Sequence, residues 1–264
     1  MGRYRWRQGA AAALLAAVLY GVHAQPAPVH QVRPSADHVP ANLLRISLEF
    51  AAPVEGGVLS RLALIDGGGS VIEGPFLPQE LWSPDGRVLT VLLHPGRVKS
   101  GLRAHEALGP ILRTGHTVTL TLDSHPLHRW RIDAADTVGP VVRAWRVAPV
   151  GAGTRHALVV MLDGAIDGRD ADFIAVADAD GRRLRGQAAL GIGETRWAFT
   201  PAQPWRPGRY RLVVRGLMED AAGNRVNGHF ETAPGGVPAA ADQVRSFIVE
   251  APAGAAARRR RQDP

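Results

Sequence analysis

The chain has 264 residues, of which 45% are hydrophobic and 21% are charged, and it contains no cysteine. A hydrophobic fraction of this size is typical of a folded protein and excludes an intrinsically disordered chain. The lack of cysteine excludes a disulfide scaffold, a cysteine-ligated zinc or iron–sulfur site, and a thiol nucleophile.

The positive charge of the chain is concentrated at its two ends. The formal net charge is +7 and the pI is about 10.9, values that would suit a nucleic-acid-binding protein. Residues 1–24 carry +3, and residues 258–264 carry another +3 through Arg258, Arg259, Arg260 and Arg261, which leaves +1 for residues 25–257. A nucleic-acid-binding domain carries its basic surface on its folded part, so we expect no nucleic-acid partner.

Residues 1–24 predict a secretory signal peptide. Arg3, Arg5 and Arg7 precede an uncharged stretch of 14 residues from 9 to 22, which is shorter than the ~20 residues that span a bilayer. Val22 and Ala24 fit a cleavage site before Gln25. We therefore expect an exported protein, periplasmic or extracellular, with no transmembrane segment in the mature chain. An uncleaved signal anchor is the alternative.

The remainder of the chain predicts β-strands after a short leader. Residues 25–41 contain four prolines and no periodic apolar pattern, which predicts an extended leader. Apolar and polar residues then alternate with the period of half-buried strands. The strands are expected near residues 44–50, 62–72, 88–93, 117–122, 130–132, 158–162, 173–177, 196–200, 209–215 and 244–249. Residues 101–112 predict no more than a short turn of helix.

The two halves of this region repeat each other. Phe50 matches Leu162, and Asp66 matches Asp178, both at an offset of 112 residues. The offset shrinks further along the chain, which places an insertion near residues 97–110 of the first half. Short strands in a repeat without long helices predict an all-β protein of two tandem β-sandwich domains. The expected limits are 42–134 and 135–250, followed by a flexible basic tail over 251–264.

Two motifs of the second half indicate a known type of sandwich. Residues 205–212 (WRPGRYRL) contain a Pro-Gly-x-Tyr strand start, and residues 220–224 (DAAGN) are followed by a predicted strand at 229–230. This pattern resembles the bacterial Ig-like domain of the S-layer SbsA type. The first half resembles a divergent copy, since Val118 occupies the tyrosine position and no similar turn follows it. The resemblance implies tandem Ig-like sandwiches and says little about function.

Within this framework, two structural roles are expected. Tyr210 is placed to form a tyrosine corner, in which its hydroxyl binds nearby backbone. Asp220 and Asn224 are expected to accept backbone N–H groups in a tight turn, with Gly223 at positive φ. Calcium binding by this turn is the alternative, although two oxygen-bearing side chains fall short of the six or more ligands that calcium takes.

Histidines are the one concentrated candidate for metal chemistry. Five of the ten histidines lie between positions 94 and 128. Asp123, His125 and His128 are expected on one loop, at a spacing compatible with Cu(II) or Zn(II). Because a clear third ligand is missing, the favoured interpretation is solvent-facing histidines with no metal. The metal-binding β-sandwich is kept as an alternative.

No catalytic arrangement is visible in the sequence. It lacks a Gly-x-Ser-x-Gly elbow and a His-Glu-x-x-His motif, and Gly191 and Gly193 form only a lone glycine pair. Asp167, Asp170 and Asp172 are interpreted as a solvated loop rather than as a paired acid and base. We expect no enzymatic activity and no cofactor.

Aromatic residues are interpreted as packing rather than as a ligand platform. Five tryptophans are expected in cores or between domains, with a sugar-binding surface as the alternative: Trp82, Trp130, Trp145, Trp197 and Trp205. The sequence therefore predicts an exported, non-catalytic Ig-like protein that acts as a structural or binding module at the bacterial cell envelope. Its partner would be an envelope protein or a cell-wall polymer, and the arginines at 258–261 would contact an anionic surface. A carbohydrate-binding accessory module is a second alternative.

Overall fold

The computed structural model describes residues 28–98, 102–226 and 241–251. The predicted signal peptide, the predicted strand at 229–230 and the arginines of the tail lie outside these ranges. The described residues form an all-β structure, as the alternation of apolar and polar residues in the sequence predicts. Four sheets pair into two sandwiches, each around its own hydrophobic core.

The first sandwich is built from eight strands in the described residues. They are β1 (Val29–Arg33), β2 (His38–Pro40), β3 (Arg45–Phe50), β4 (Leu62–Asp66), β5 (Leu81–Trp82), β6 (Val88–Leu92), β7 (Thr117–Leu122) and β8 (His125–Asp133). The strand orders are β1-β3-β6-β5 and β2-β8-β7-β4, with all pairs antiparallel except β2 with β8. Short helices α1 (Pro95–Val98) and α2 (Arg103–Leu108) lie in the predicted insertion.

The second sandwich has seven strands in the described residues. They are β9 (Arg146–Val147), β10 (Leu158–Met161), β11 (Ile174–Ala177), β12 (Gly186–Leu190), β13 (Arg196–Pro201), β14 (Gly208–Val214) and β15 (Gln243–Val249). They form sheets with the orders β12-β13-β10-β9 and β11-β14-β15. Single 3-10 turns occur at Leu59–Arg61 in the first sandwich and at Val142–Ala144, Asp170–Phe173 and Ile192–Glu194 in the second.

The matched positions of the two halves adopt the same turn. The N–H of Asp66 donates to the carbonyl of Ser70, and the N–H of Asp178 donates to the carbonyl of Arg182. Both turns contain a glycine at positive φ, which an L side chain rarely adopts. The spacing of 112 residues in the sequence therefore corresponds to one turn geometry used twice.

The predicted leader is wrong over the part that the structure describes. Residues 29–33 form β1, which pairs with β3, and residues 38–40 form β2, which pairs with β8. Val32 and Val39 are buried in the first core. The chain from residue 28 therefore belongs to the first sandwich.

Tyr210 forms the predicted tyrosine corner. Its hydroxyl donates to the carbonyl of Arg206 at 3.1 Å and accepts the N–H of Arg206 at 3.2 Å. Its ring packs against Trp205 and Phe247, with ring centroids 5.4 and 5.6 Å away. The corner thus attaches the loop before β14 to the core of the second sandwich.

The substitution Tyr210→Phe should lower the free energy of unfolding by about 1–2 kcal/mol, because it removes both hydrogen bonds and keeps the ring. Urea denaturation followed by tryptophan fluorescence measures the change. The variant Tyr210→Leu, which also removes the aromatic contacts, should be less stable still. Equal stability of Tyr210→Phe and the original chain would contradict the role of the hydroxyl.

Candidate functional site

The outer face of the first sandwich is covered by the second sandwich. On β3, Ile46 and Leu48 point into the first core, so Ser47 between them points the opposite way. Ser47 and its neighbour Thr90 on β6 are nevertheless only 6% and 2% exposed, and their hydroxyl oxygens lie 3.0 Å apart. Polar side chains on an outer sheet face are buried here because loops of the second sandwich lie over them.

The two sandwiches meet at a junction whose centre is Arg45, a partly buried arginine surrounded by acids. Arg45 Nη1 lies 2.9 Å from Asp167 Oδ2, and Arg45 Nη2 donates to Glu219 Oε2 at 2.5 Å. The N–H of Glu219 donates to Asp170 Oδ2 at 2.8 Å, and Arg169 Nε lies 3.4 Å from Asp167 Oδ1. One cation of the first sandwich is therefore held by acids from two loops of the second.

A second contact involves Glu194, which is 1% exposed. Its carboxylate accepts Arg33 Nη1 at 2.6 Å, the N–H of Ser35 at 3.0 Å and the hydroxyl of Ser35 at 2.7 Å. The N–H of Gly193 donates to the same hydroxyl at 2.9 Å. Glu194 also adopts a positive φ of 50°, a conformation that is uncommon for a residue other than glycine. These four hydrogen bonds hold it in place.

The third contact is the turn of residues 220–224, in which Asp220 and Gly223 have their predicted roles. Asp220 Oδ1 accepts the N–H groups of Ala222 and Asn224 at 2.8 Å each, and Gly223 has a φ of 83°. Asn224 Nδ2 donates to Asp220 Oδ2 at 2.9 Å, so both polar side chains of the turn are engaged with one another. The turn is buried rather than exposed, which the sequence did not indicate.

This turn also reaches into the first sandwich. The N–H of Leu44 donates to the carbonyl of Ala221 at 3.1 Å, and Ala221 packs in the first hydrophobic core. Asn224 Nδ2 additionally donates to the carbonyl of Asp136 in the connecting segment at 3.0 Å. Backbone, apolar and charged contacts thus join the two sandwiches at three places.

The surroundings of the junction shift the pKa values of its ionisable groups. Burial raises the pKa of Asp170 to about 7, and the nearby Asp167 and Glu219 add to this effect. Burial likewise raises the pKa of Asp220 to about 6, despite hydrogen bonds from Asn224 and Ala222. Burial opposes the charge of Arg45, but its pKa is still raised because Asp167 and Glu219 favour the cation.

A cleft of about 790 Å³ lies beside these contacts, between the two sandwiches. Ser47 and Thr90 form part of its floor, while Trp82 and the edge strand β12 line its sides. Both signs of charge are present on its lining: Arg33, Glu49, Arg169 and Asp172. A volume of this order is typical of ligand-binding clefts.

The residues of the predicted metal alternative have other partners. Asp123 binds Arg61 through both carboxylate oxygens, and this hydrogen bonding lowers the pKa of Asp123. His125 Nδ1 lies 2.9 Å from the carbonyl oxygen of Asp123, and His128 Nε2 lies 3.0 Å from that of Ala36. The two histidines lie in β8, so their predicted placement on a loop is wrong. Within the described ranges, no three His, Asp or Glu residues are grouped so as to hold a metal ion.

The predicted solvated loop of aspartates is also wrong for two of its three members. Asp167 and Asp170 are buried in the junction, and only Asp172 is exposed. The role of Glu194 was missed, because nothing in a Gly-x-Gly-Glu sequence distinguishes a buried carboxylate from an exposed one. The partners of these acids lie far away in the sequence: Arg33 is 161 residues from Glu194.

The tryptophans mainly pack in cores, as predicted. Trp130, Trp145, Trp197 and Trp205 are buried, while Trp82 is partly buried against Phe50 and lines the cleft. The described ranges therefore contain no row of exposed tryptophan rings of the kind that a sugar-binding face uses. None of the helices in those ranges has both the length and the apolar character needed to span a membrane.

Comparison with known proteins gives similarity at the level of fold. No protein-family model and no curated protein matches the chain. Among solved structures, domains 5–6 of the S-layer protein SbsC are 9% identical, with 86% of this chain and 98% of that chain covered and a TM-score of 0.25. The tandem Ig repeats of Dlar are 8% identical, covering 80% and 90% of the chains, with a TM-score of 0.20. Domains 3–5 of Drosophila OTK are 9% identical, covering 78% and 59%, with a TM-score of 0.24.

The Ig-like description of this chain accordingly rests on its own sheets and its tyrosine corner. Similarity this weak supports no inference about ligand or partner.

Protonation of Asp170 should make stability depend on pH. Because its pKa is raised in the folded state, the neutral form is favoured there, and stability is lost as the pH rises from about 4 through about 7. The free energy of unfolding should fall by about 2 kcal/mol between pH 5 and 8. Urea titrations at several pH values measure this slope.

The variant Asp170→Asn should reduce that slope to the part that Asp220 contributes, since the asparagine side chain carries no charge and can still accept the N–H of Glu219. Asp172→Asn is the matched control, because Asp172 is exposed two residues away, and its pH profile should follow the original chain. A slope of equal size in Asp170→Asn would show that Asp170 is not its source.

The packing of Arg33 can be tested by substituting two glycines of one loop, Gly164 and Gly168. A Cβ on Gly168 would overlap the side chain of Arg33, whereas a Cβ on Gly164 would meet no atom within 4 Å. Gly168→Ala should displace Arg33 from Glu194 and lower the free energy of unfolding by about 1–3 kcal/mol. Gly164→Ala should stay within about 0.5 kcal/mol of the original chain. Equal effects of the two substitutions would contradict the observed packing.

Proposed function

We propose that the chain is an exported, non-catalytic protein that acts as a structural or binding module at the bacterial cell envelope. The observation that best supports this role is the junction, in which Arg45, Arg33 and Leu44 of the first sandwich each bind the second. Three separate contacts restrict how the two sandwiches turn against each other. Two sandwiches held in a restricted relative orientation suit a protein that keeps other molecules apart or presents a binding surface.

Two features of the sequence favour the envelope as the site of action. The signal peptide over 1–24 would export the chain, and the motifs at 205–212 and 220–224 would place its sandwiches in the SbsA type of bacterial Ig-like domain. The arginines at 258–261 would then contact an anionic surface of the envelope. Each cation near such a surface contributes about 1 kcal/mol, and salt screens the attraction.

Expression of the full chain in a bacterial host, followed by fractionation, tests this proposal. The purified protein should begin at Gln25 and co-sediment with envelopes in a salt-sensitive manner. Deletion of residues 258–264 should lower the bound fraction. Replacement of Arg258–Arg261 by glutamine should lower it equally, because it removes the charge and keeps the length.

Two results would overturn the proposal. A cytoplasmic protein with Met1 at its N-terminus would contradict export. Envelope association unchanged by salt and by both tail variants would remove the role of the arginines.

A further inference from the structure

The outer face of the sheet β11-β14-β15 presents a row of arginines. On β14, Tyr210, Leu212 and Val214 are buried in the second core. The residues between them therefore point away from the core, and Arg209 and Arg211 are exposed there. The arginines that the sequence shows at every second position of this strand thus share one outer face.

Strand register adds a third arginine to this face. Ala177 of β11 pairs with Arg211 of β14 on one side and forms a bridge with Arg183 on the other. Paired residues of neighbouring strands point to the same side of a sheet, and neighbouring strands lie about 4.8 Å apart. Arg183 and Arg211 therefore flank Ala177, which is buried between them although it points outward.

Within the described ranges, no acid pairs with the three arginines of this face. The strands β11, β14 and β15 contain no Asp or Glu. Arg183, Arg209 and Arg211 form no ion pair with any residue that the structure describes. The nearby Asp180 lies 3.8 Å from Arg182 of the adjoining turn. The arginine side chains are therefore available to an external anion.

Exposed aliphatic side chains lie on the same face. Ile248 pairs with Arg209, and Val244 pairs with Val213, so both point outward from β15. They are 64% and 57% exposed. Cations beside exposed aliphatic groups are typical of a surface that lies on a membrane, where the cations meet headgroup phosphates and the aliphatic groups enter the acyl boundary.

We propose that this outer face docks on a membrane surface that contains anionic phospholipids. Strand β15 ends opposite Gly208, so the chain leaves the sheet next to Arg209. Arg258 follows Val249, the last residue of β15, by nine residues, which keeps it within about 32 Å of the end of the sheet in any conformation. The face and the tail would thus supply cations to one lipid surface. The inference rests on the envelope role proposed above and specifies its partner.

Vesicle co-sedimentation of the processed full chain tests this docking. Vesicles of phosphatidylcholine with about one third phosphatidylglycerol should bind the protein, and vesicles of phosphatidylcholine alone should not. The double variant Arg209→Gln, Arg211→Gln should weaken binding about 30-fold. The charge-conserving double variant Arg209→Lys, Arg211→Lys should retain most of the binding, which separates loss of charge from loss of fold.

A matched control comes from the opposite sheet of the same sandwich. Arg146 and Arg196 are exposed there, and both pair with Met161. Their double substitution by glutamine removes the same charge and should change vesicle binding less than threefold. An equal loss of vesicle binding in this control would overturn the assignment of docking to the face that carries Arg183, Arg209 and Arg211.

The aliphatic residues distinguish a membrane from a soluble polyanion. The double variant Val244→Ser, Ile248→Ser should weaken vesicle binding about fivefold or more and leave binding to inorganic polyphosphate unchanged. Vesicle binding that is insensitive to this variant would overturn the membrane proposal in favour of a soluble polyanion. Failure of vesicle binding with normal processing and envelope fractionation would reject the docking face and leave the envelope role intact.

Discussion

Compensation of the partly buried charge of Arg45 governs how the two sandwiches fit together. Arg45 stands on the outer face of β3, where strand alternation directs it away from the first core. A guanidinium that leaves water needs anionic partners, because an uncompensated buried charge costs several kcal/mol. Asp167 and Glu219 supply those partners from different loops of the second sandwich. Pairing one side chain therefore positions two loops at once.

The same cluster contains one carboxyl group, that of Asp170, with no cation in ion-pair contact among the described residues. Asp167, Asp170 and Glu219 lie around Arg45. The partly exposed side chains of Arg169 and Arg225 lie 3.4 Å from Asp167 and 3.3 Å from Glu219. Asp167 and Asp170 are buried, and burial together with the charges of Asp167 and Glu219 disfavours a charge on Asp170. A proton on Asp170 relieves both costs. The junction is therefore favoured with Asp170 protonated, which couples its stability to pH near neutrality.

Local patterns in the sequence were sufficient to predict most of the core strands. Alternation identifies which side chains face inward, and motifs such as the Asp66 and Asp178 turns or the Tyr210 corner depend on residues within a few positions of each other. The extended leader predicted over residues 25–41 was wrong because its prolines were interpreted as evidence against strands. Pro28 precedes β1, Pro34 follows it and Pro40 ends β2, so the prolines bound these strands without interrupting them. Proline at a strand end is compatible with pairing, and density of proline alone did not reveal this.

The junction around Arg45 and the outer face of β14 around Arg211 show what the alternation of side chains does not predict. It predicts that Arg45 and Arg211 both point outward from their strands, but it does not say what covers either one. Glu219 is 174 residues from Arg45, a separation at which no sequence pattern indicates contact. Once the fold is known, the two arginines differ: Arg45 pairs with Asp167 and Glu219, whereas Arg211 pairs with no acid among the described residues. An external anion would therefore meet guanidinium groups on the outer face of β14, where the described residues supply no acid, rather than at Arg45, whose charge Asp167 and Glu219 already balance.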